Sequence, residues 1–294
     1  PLDEVQTIGR ELRDILKGEE GMDPNQALQE RPHPTLLKYA AESTYLKETA
    51  EDLKKFADTL AQAAPRSTLS NPTLTSVRLL RDDAQAETRI ATALLSRSSH
   101  LSTDELFARL KQDATLAQRV IETALAKRGS HDTPLREFEH AQFEHEIIMD
   151  YGAWRDIQRH RLCTQTNQTL SPHLGYAMPE EIGLLGFGDR FQTLMDEAAR
   201  VYKTLKNLGL EQEAAYAIPM AYRRRLLVSW NLRELFHFIE LRSGVKGHPS
   251  YRKIAQDVWR TIEQAHPLLA KHIRVDLRGT EATTSWVGAK PKLN

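Results

Sequence analysis

Residues 155–169 read Arg-Asp-Ile-Gln-Arg-His-Arg-Leu-Cys-Thr-Gln-Thr-Asn-Gln-Thr. Two guanidiniums, Arg159 and Arg161, flank the imidazole of His160, and a run of hydroxyls and amides follows. The stretch sits where the pattern of the chain changes. Upstream of it, Phe138 to Met149 alternates partly with period two through Ala141, Phe143, His145, Ile147 and Met149, which predicts a strand. Residues 152–161 read as a short helix that ends in the basic tripeptide. Residues 162–188 hold Pro172, Pro179 and four glycines and read as irregular.

Further out, most of the chain reads helical. Residues 3–16 place Val5, Ile8, Leu12, Ile15 and Leu16 on one stripe. A second helix is predicted from Pro34 to Ala63, and others over 83–97, 102–112, 114–128, 189–208, 211–217, 223–242 and 249–272. Ser102 ahead of Thr103-Asp104-Glu105 is a helix-start signal, with acid where the helix dipole favours it. Residues 61–74, with two prolines and several Ser, Thr and Asn, read as a linker, and 277–294 as a polar arm.

Composition narrows the classes. The 294 residues carry 40 Lys+Arg against 40 Asp+Glu, a formal charge of zero, which argues against a polycation that coats nucleic acid. No apolar run reaches the roughly 20 residues of a membrane helix, and the mean hydropathy of −0.52 is that of a water-soluble protein. The opening Pro1-Leu2-Asp3-Glu4 lacks the basic-then-apolar pattern of a signal peptide. One cysteine, Cys163, allows neither an internal disulfide nor a multi-cysteine metal site, so a cytoplasmic setting is the expectation.

Two constellations could carry chemistry. Arg155–Thr169 suits an anionic ligand with many hydrogen-bond acceptors, because arginine forks match phosphate; it equally suits a solvated helix end whose dipole favours cations. The second is Asn231-Leu232-Arg233-Glu234-Leu235-Phe236-His237-Phe238-Ile239-Glu240-Leu241-Arg242. At about 100° per residue, Asn231 and Arg242 share one side of a helix and Arg233 and His237 another. One straight helix cannot aim all four at a small ligand, so either the ligand is long or Asn231 sits at the helix start; a core helix with flanking polar pairs is the plainer reading. His140 and His145 with Glu144 and Glu146 lack the histidine spacing of a helical zinc site, and no metal is expected. Gly183, Gly186 and Gly188 form no dinucleotide fingerprint. Tyr222-Arg223-Arg224-Arg225 could touch phosphate or, with Arg155–Arg161, nucleic acid.

Taken together, the two constellations resemble the flavin-dependent thymidylate synthases. Arg159-His160-Arg161, seven residues and Thr169 is similar to that family's Arg-His-Arg, seven residues, Ser. Asp132-Thr133-Pro134 looks like its Glu-Thr-Pro, and Asn231–Arg242 like its Asn-Ala-Arg-x-x-x-His/Asn-Phe-x-x-x-Arg helix, in register from about Val77 to Ala270. The resemblance implies an α+β fold, a small sheet packed with long helices, assembled as a homo-oligomer with shared sites. It implies reductive methylation of dUMP with methylenetetrahydrofolate, FAD and NADPH. By position, Arg159, His160, Arg161, Asn167, Asn231, Arg233 and His237 would hold FAD; Arg159, Gln168, Thr169, Arg225 and Arg242 would hold the nucleotide; Arg242 and Thr169 would serve catalysis.

The departures fall on the nucleotide side. Thr169 replaces the motif serine and Asn167 a usual Glu. Ser171-Pro172 stands where the family has Arg before Tyr, with Tyr176 coming later; Asp156 stands for Gln, Ala215 for Arg and Glu137 for His, and Gly247-His248-Pro249-Ser250 for Ala-Gln-Trp-Glu. Losing phosphate-side arginines weakens nucleotide binding unless Arg223–Arg225 or a partner domain compensates. An alternative is therefore a member that binds flavin or nucleotide but is inactive on dUMP, with another pyrimidine as substrate or a regulatory role. The segments 4–16 and 33–39 also match 250–262 and 266–272 in pattern. They are either unrelated amphipathic helices or the tail of a preceding copy of the same domain. The expected organisation is an extension over 1–66, the thymidylate synthase-like domain over 67–276, and an arm over 277–294.

Overall fold

The computed structural model describes residues 3–17, 43–63 and 75–279. Four antiparallel strands form one sheet: β1 (Ser76–Arg81), β2 (Gln142–Asp150), β3 (Cys163–Asn167) and β4 (Arg223–Asn231), in the order β1-β2-β4-β3. The central pair is in register from Gln142 opposite Asn231 to Asp150 opposite Arg223. Helices α1 (Asp3–Lys17) and α2 (Thr44–Ala63) precede the sheet. After β1 come α3 (Ala86–Ser96), α4 (Thr103–Gln112) and α5 (Ala114–Leu125). Helix α6 (Tyr151–Ile157) follows β2, and α7 (Glu180–Leu184), α8 (Gly188–Asn207) and α9 (Glu211–Ala214) lie between β3 and β4. Then come α10 (Leu232–Arg242), α11 (Pro249–Ala265) and α12 (Pro267–Ala270). This is the α+β architecture that the resemblance implied.

The period-two alternation of β2 and β4 sorts the sheet into two faces. Phe143, His145, Ile147 and Met149 of β2 and Leu226, Val228 and Trp230 of β4 are buried, in one core with Phe236, Phe238, Ile239, Ile254, Val258 and Ile262. The opposite face carries a charge ladder: Arg78 to Glu146 at 3.0 Å, Arg225 to Glu146 at 3.2 Å, and Arg81 to Glu144 at 2.8 Å. His145 is a polar group inside the core, and it is satisfied. Its Nδ1 accepts from Trp230 Nε1 at 3.0 Å, and Nε2 lies 2.8 Å from Thr261 Oγ1. Burial pushes its pKa down to about 3. A second, smaller core joins Met195 and Tyr202 of α8 to Ile218 and Tyr222.

The structure differs from the sequence expectation at four places. The helix predicted over 223–242 is a strand to Asn231 and a helix only from Leu232. The strand is central, so its inner residues pair with a buried sheet face, and its apolar run merges with that of the following helix. The helix predicted over 249–272 stops at Ala265, because Pro267 has no N–H to continue the ladder and instead opens α12. The irregular stretch 162–188 contains β3 and α7, and β1 has no counterpart in the sequence reading. The first part of the predicted 34–63 helix, the linker from 64 and the arm beyond 279 lie outside the described residues.

Candidate functional site

The site is built where β4 passes into α10 without a loop. Asn231 ends the strand in extended conformation, and its Oδ1 accepts from Glu234 N at 2.9 Å, which caps the helix. An Asn cap followed three residues later by Glu is a capping-box sequence, in which the Glu side chain normally reaches back to the cap. Here it does something else. Glu234 Oε1 lies 2.8 Å from His160 Nδ1, with both side chains 3% exposed.

His160 is fixed from several sides. Its carbonyl accepts from Gln165 Nε2 at 2.9 Å and from Cys163 Sγ at 3.1 Å. Burial pushes the Cys163 thiol up, which keeps it a donor. The ring of His160 sits edge-on to Phe238, centroids 5.1 Å apart, and 5.5 Å from His237. Its Nε2 accepts from Arg242 Nε at 3.1 Å. A guanidinium has no acceptor, so Nε2 carries no proton in this contact, and Nδ1–H is the donor to Glu234.

Arg242 is held at three further points. Its Nη2 donates to the Asp156 carbonyl at 2.7 Å, Nη1 lies 3.5 Å from Asp156 Oδ1, and the guanidinium carbon stands 5.4 Å from the Tyr251 ring centre. A cavity of about 340 Å³ adjoins it, lined by Arg159, His160, Arg161, Leu162, Glu234, His237, Leu241 and Arg242. Arg159 and Arg161 are exposed and have no hydrogen bond or ion pair among the described residues. On the other side of Asp156 and Tyr251 lies a larger cavity of about 560 Å³, which also meets Asp150, Glu180, Glu181, His248 and Lys253.

Five of the residues singled out in the sequence thus come together: Arg159, His160, Arg161, His237 and Arg242. Others do not line this cavity. Asn231 is occupied as the cap. Arg233 straps α10 to the preceding loop, donating to the Pro134 carbonyl at 2.9 Å, to Thr133 Oγ1 at 3.1 Å and to Glu139 at 3.2 Å. Asn167 ends β3 opposite Leu226. Gln168 is tied to β4: its N donates to the Arg225 carbonyl at 2.9 Å, and its own carbonyl accepts from Arg224 at 2.7 Å. Thr169 is exposed beside it. Arg225 is paired with Glu146. Arg224 is buried 4.2 Å over Trp154, Arg223 is buried against the Leu174 carbonyl, and burial lowers the pKa of both. Of the three cations expected to compensate for lost arginines, two are therefore turned inward and the third is held by Glu146. Sequence reasoning missed Glu234 and Tyr251; the Asn-x-x-Glu pattern at 231–234 marked the first.

Comparison with known proteins adds to this geometry. A family model described as thymidylate synthase complementing protein matches residues 78–268. The chain is 32% identical over 235 residues to a UPF0159 protein of Chlamydia muridarum, covering 79% of this chain and 43% of that one. It is 35% identical over 140 residues to a UPF0159 protein of Thermoplasma acidophilum, covering 47% of this chain and 28% of that one. It is 29% identical over 144 residues to a flavin-dependent thymidylate synthase of Pyrococcus furiosus, covering 42% of this chain and 58% of that one. The chain thus spans less than half the length of the chlamydial and Thermoplasma relatives it matches.

Proposed function

The chain belongs to the thymidylate synthase complementing protein family, and from that premise we propose that it binds FAD and a pyrimidine nucleotide and carries out reductive methylation of dUMP to dTMP, with methylenetetrahydrofolate and NADPH as co-substrates. One observation carries this reading: the guanidinium of Arg242, pinned by His160 and the Asp156 carbonyl over Tyr251, borders a cavity flanked by unpaired Arg159 and Arg161.

The donor set fits a flavin dinucleotide. Two exposed, uncommitted guanidiniums suit its phosphates, and Leu162 and Leu241, 65% and 55% exposed, offer an apolar edge to a flat ring. The 340 Å³ cavity accommodates part of such a molecule, and Arg159 and Arg161 stand at its rim for the remainder. When bound, the flavin supplies the reducing equivalents. Arg242 would hold the uracil and stabilise negative charge developing on its ring; a fixed cation shielded from water does this without reorganising. His160 would keep that cation in place, and Tyr251 would close its far side.

A second reading is favoured by the carboxylates. Asp150, Asp156, Glu180 and Glu181 all line the 560 Å³ cavity beside Arg242, against Lys253 and His248. With Arg225 held by Glu146 and Arg223 and Arg224 turned inward, a nucleotide phosphate finds few free cations there. That supports a member that binds flavin or nucleotide while acting on another pyrimidine or serving regulation.

The test is the visible spectrum of the protein after FAD addition and gel filtration, followed by an assay for dTMP from dUMP, methylenetetrahydrofolate and NADPH. Retained flavin with dTMP formed supports the first reading. Retained flavin without dTMP supports the second. Absence of retained flavin refutes both as flavin sites.

A further inference from the structure

Buried carboxylates are expensive to desolvate, and one is kept only where something uses its charge or its lone pairs. Glu234 is such a group. It stands at the third position of α10, where reaching back to the cap would satisfy an orphan backbone donor. It is turned instead into the interior, to His160 Nδ1 at 2.8 Å. The chain of contacts continues from His160 Nε2 to Arg242 Nε at 3.1 Å, and from Arg242 Nη2 to the Asp156 carbonyl at 2.7 Å. These residues come from four places: the first turn of α10, the segment after α6, the last turn of α10, and the end of α6 itself.

The tautomer of His160 is the hinge of this chain. An imidazole with Nδ1–H offers a lone pair at Nε2, and Arg242 can donate to it. An imidazole with Nε2–H points a proton at Arg242 Nε–H, two donors face to face, and the guanidinium must move away. What selects between the two is the group facing Nδ1. A carboxylate can only accept, so Glu234 admits Nδ1–H alone.

We propose that Glu234 is a positioning residue: by fixing the tautomer of His160, it aims the Arg242 guanidinium at the ligand cavity. The proposal deepens the reading of Arg242 as the nucleotide contact and rests on it for its functional consequence, while its structural core stands on the ring tautomer. With Nε committed to His160 and Nη2 to Asp156, Nη1 is the nitrogen left to meet a ligand, its hydrogen-bond partner among the described residues being Asp156 Oδ1 at 3.5 Å. Glu234 thus sets which edge of the guanidinium is presented, acting through His160 from a side chain that is 3% exposed.

The experiment combines ¹⁵N NMR of the histidine rings with FAD and dUMP titrations, on the full chain. The His160 resonances are assigned from a His160→Gln spectrum. Wild type is expected to show a single Nδ1–H tautomer at His160; an Nε2–H ring there overturns the proposal with no variant needed. Glu234→Gln can still present Oε1 to Nδ1–H, so it should keep the tautomer and bind dUMP within about threefold of wild type. Glu234→Met keeps the volume and removes the acceptor. It should lose the single tautomer and at least tenfold in dUMP affinity, with FAD affinity changed much less. If Glu234→Met keeps both the Nδ1–H signature and the dUMP affinity, the proposal fails. It fails equally if Glu234→Gln is as damaged as Glu234→Met. Wild type that binds neither FAD nor dUMP refutes the functional reading, and the ring signature still decides the positioning.

Discussion

The clamp between Arg128 and Glu240 tests how firmly the helix bearing Arg242 is anchored. Arg128 Nη1 and Nη2 donate to the two oxygens of Glu240 at 2.8 and 2.6 Å, a fork-on-fork pair with side chains 7% and 20% exposed. The guanidinium also lies 5.2 Å from the Phe236 ring, and its Nε donates to the Asp132 carbonyl at 2.8 Å. Glu240 takes a further bond from Arg274 N at 3.1 Å, which ties in the segment after α12. Glu240→Gln keeps the shape and removes the charge, leaving a buried guanidinium without its counter-ion. Breaking one side of a buried pair costs about 3–5 kcal/mol, far above the ~0–1 kcal/mol of a surface pair. At about 2–4 °C per kcal/mol for a domain of this size, the melting temperature should fall by about 6–20 °C. Arg128→Met should cost a similar amount. The double variant, Arg128→Met with Glu240→Gln, should cost less than the two singles added, because neither charge is then stranded. Urea melts of the four proteins, followed by circular dichroism, give the coupling. Glu240→Gln within about 1 kcal/mol of wild type would show the pair to be solvated and the reasoning wrong.

Other outcomes follow from the same physics. His266 is buried and lies 3.0 Å from Glu87 and 3.2 Å from Asp82; burial opposes its charging, but the Glu87 hydrogen bond and the two carboxylate charges outweigh this, and its pKa is raised. Its contribution to stability is therefore complete below the ordinary histidine value of about 6.5 and lost as pH rises through the higher folded value, so His266→Gln should flatten the alkaline limb of a stability–pH curve. His145 works in the opposite sense: with its folded pKa near 3, stability should decline as pH falls below about 6.5, and its ring should show no NMR titration between pH 5 and 8. Arg159→Gln with Arg161→Gln should leave stability within about 0.5 kcal/mol while weakening FAD binding by roughly 10²–10⁴-fold, read by titration, since each charge-assisted bond is worth about 1.5–3 kcal/mol and two are lost. Ser102 accepts from Glu105 N at 3.3 Å and Glu105 reaches back to Ser102 N at 2.9 Å; Ser102→Ala should destabilise by about 1 kcal/mol in a urea melt.

The legible parts of the sequence were the local ones. The Ser102 start signal, the strand through Ile147 and Met149, and α8 were all read from neighbouring residues, and the structure has them. Strand β4 was illegible because Leu226 to Ile239 is apolar at most positions on both sides of the junction, with no Gly or Pro at the turn. Only Asn231, with Glu234 three residues on, marks where extended chain becomes helix. The site shows the same division. Arg159–Arg161 and His237–Arg242 could be picked out as unusual polar groups, and they share a cavity. That Glu234 and Arg242 grip opposite nitrogens of His160 is a relation across 74 and 82 positions, which local pattern does not encode. The outward-looking charge of Arg223–Arg225 misled in the other direction. A basic run reads as a solvated or ligand-facing surface, yet strand alternation and Trp154 draw Arg224 inside.

The strand order carries a cost that belongs to synthesis. The chain emerges as β1, β2, β3, β4, but in the sheet β4 lies between β2 and β3. Until β4 leaves the ribosome, β3 has no neighbour, and β1 with β2 is a two-stranded ribbon, a unit that is marginal alone. Every pairing across the centre, from Gln142 with Asn231 to Asp150 with Arg223, closes a long stretch of chain before it gains anything. A nascent chain that pauses before about residue 223 therefore displays the free edge of β2 and the apolar side chains meant for its core face, a surface open to other chains. The sheet closes with the same segment that delivers Asn231, Glu234 and Arg242, so the cavity beside Arg242 and escape from aggregation arrive in one event.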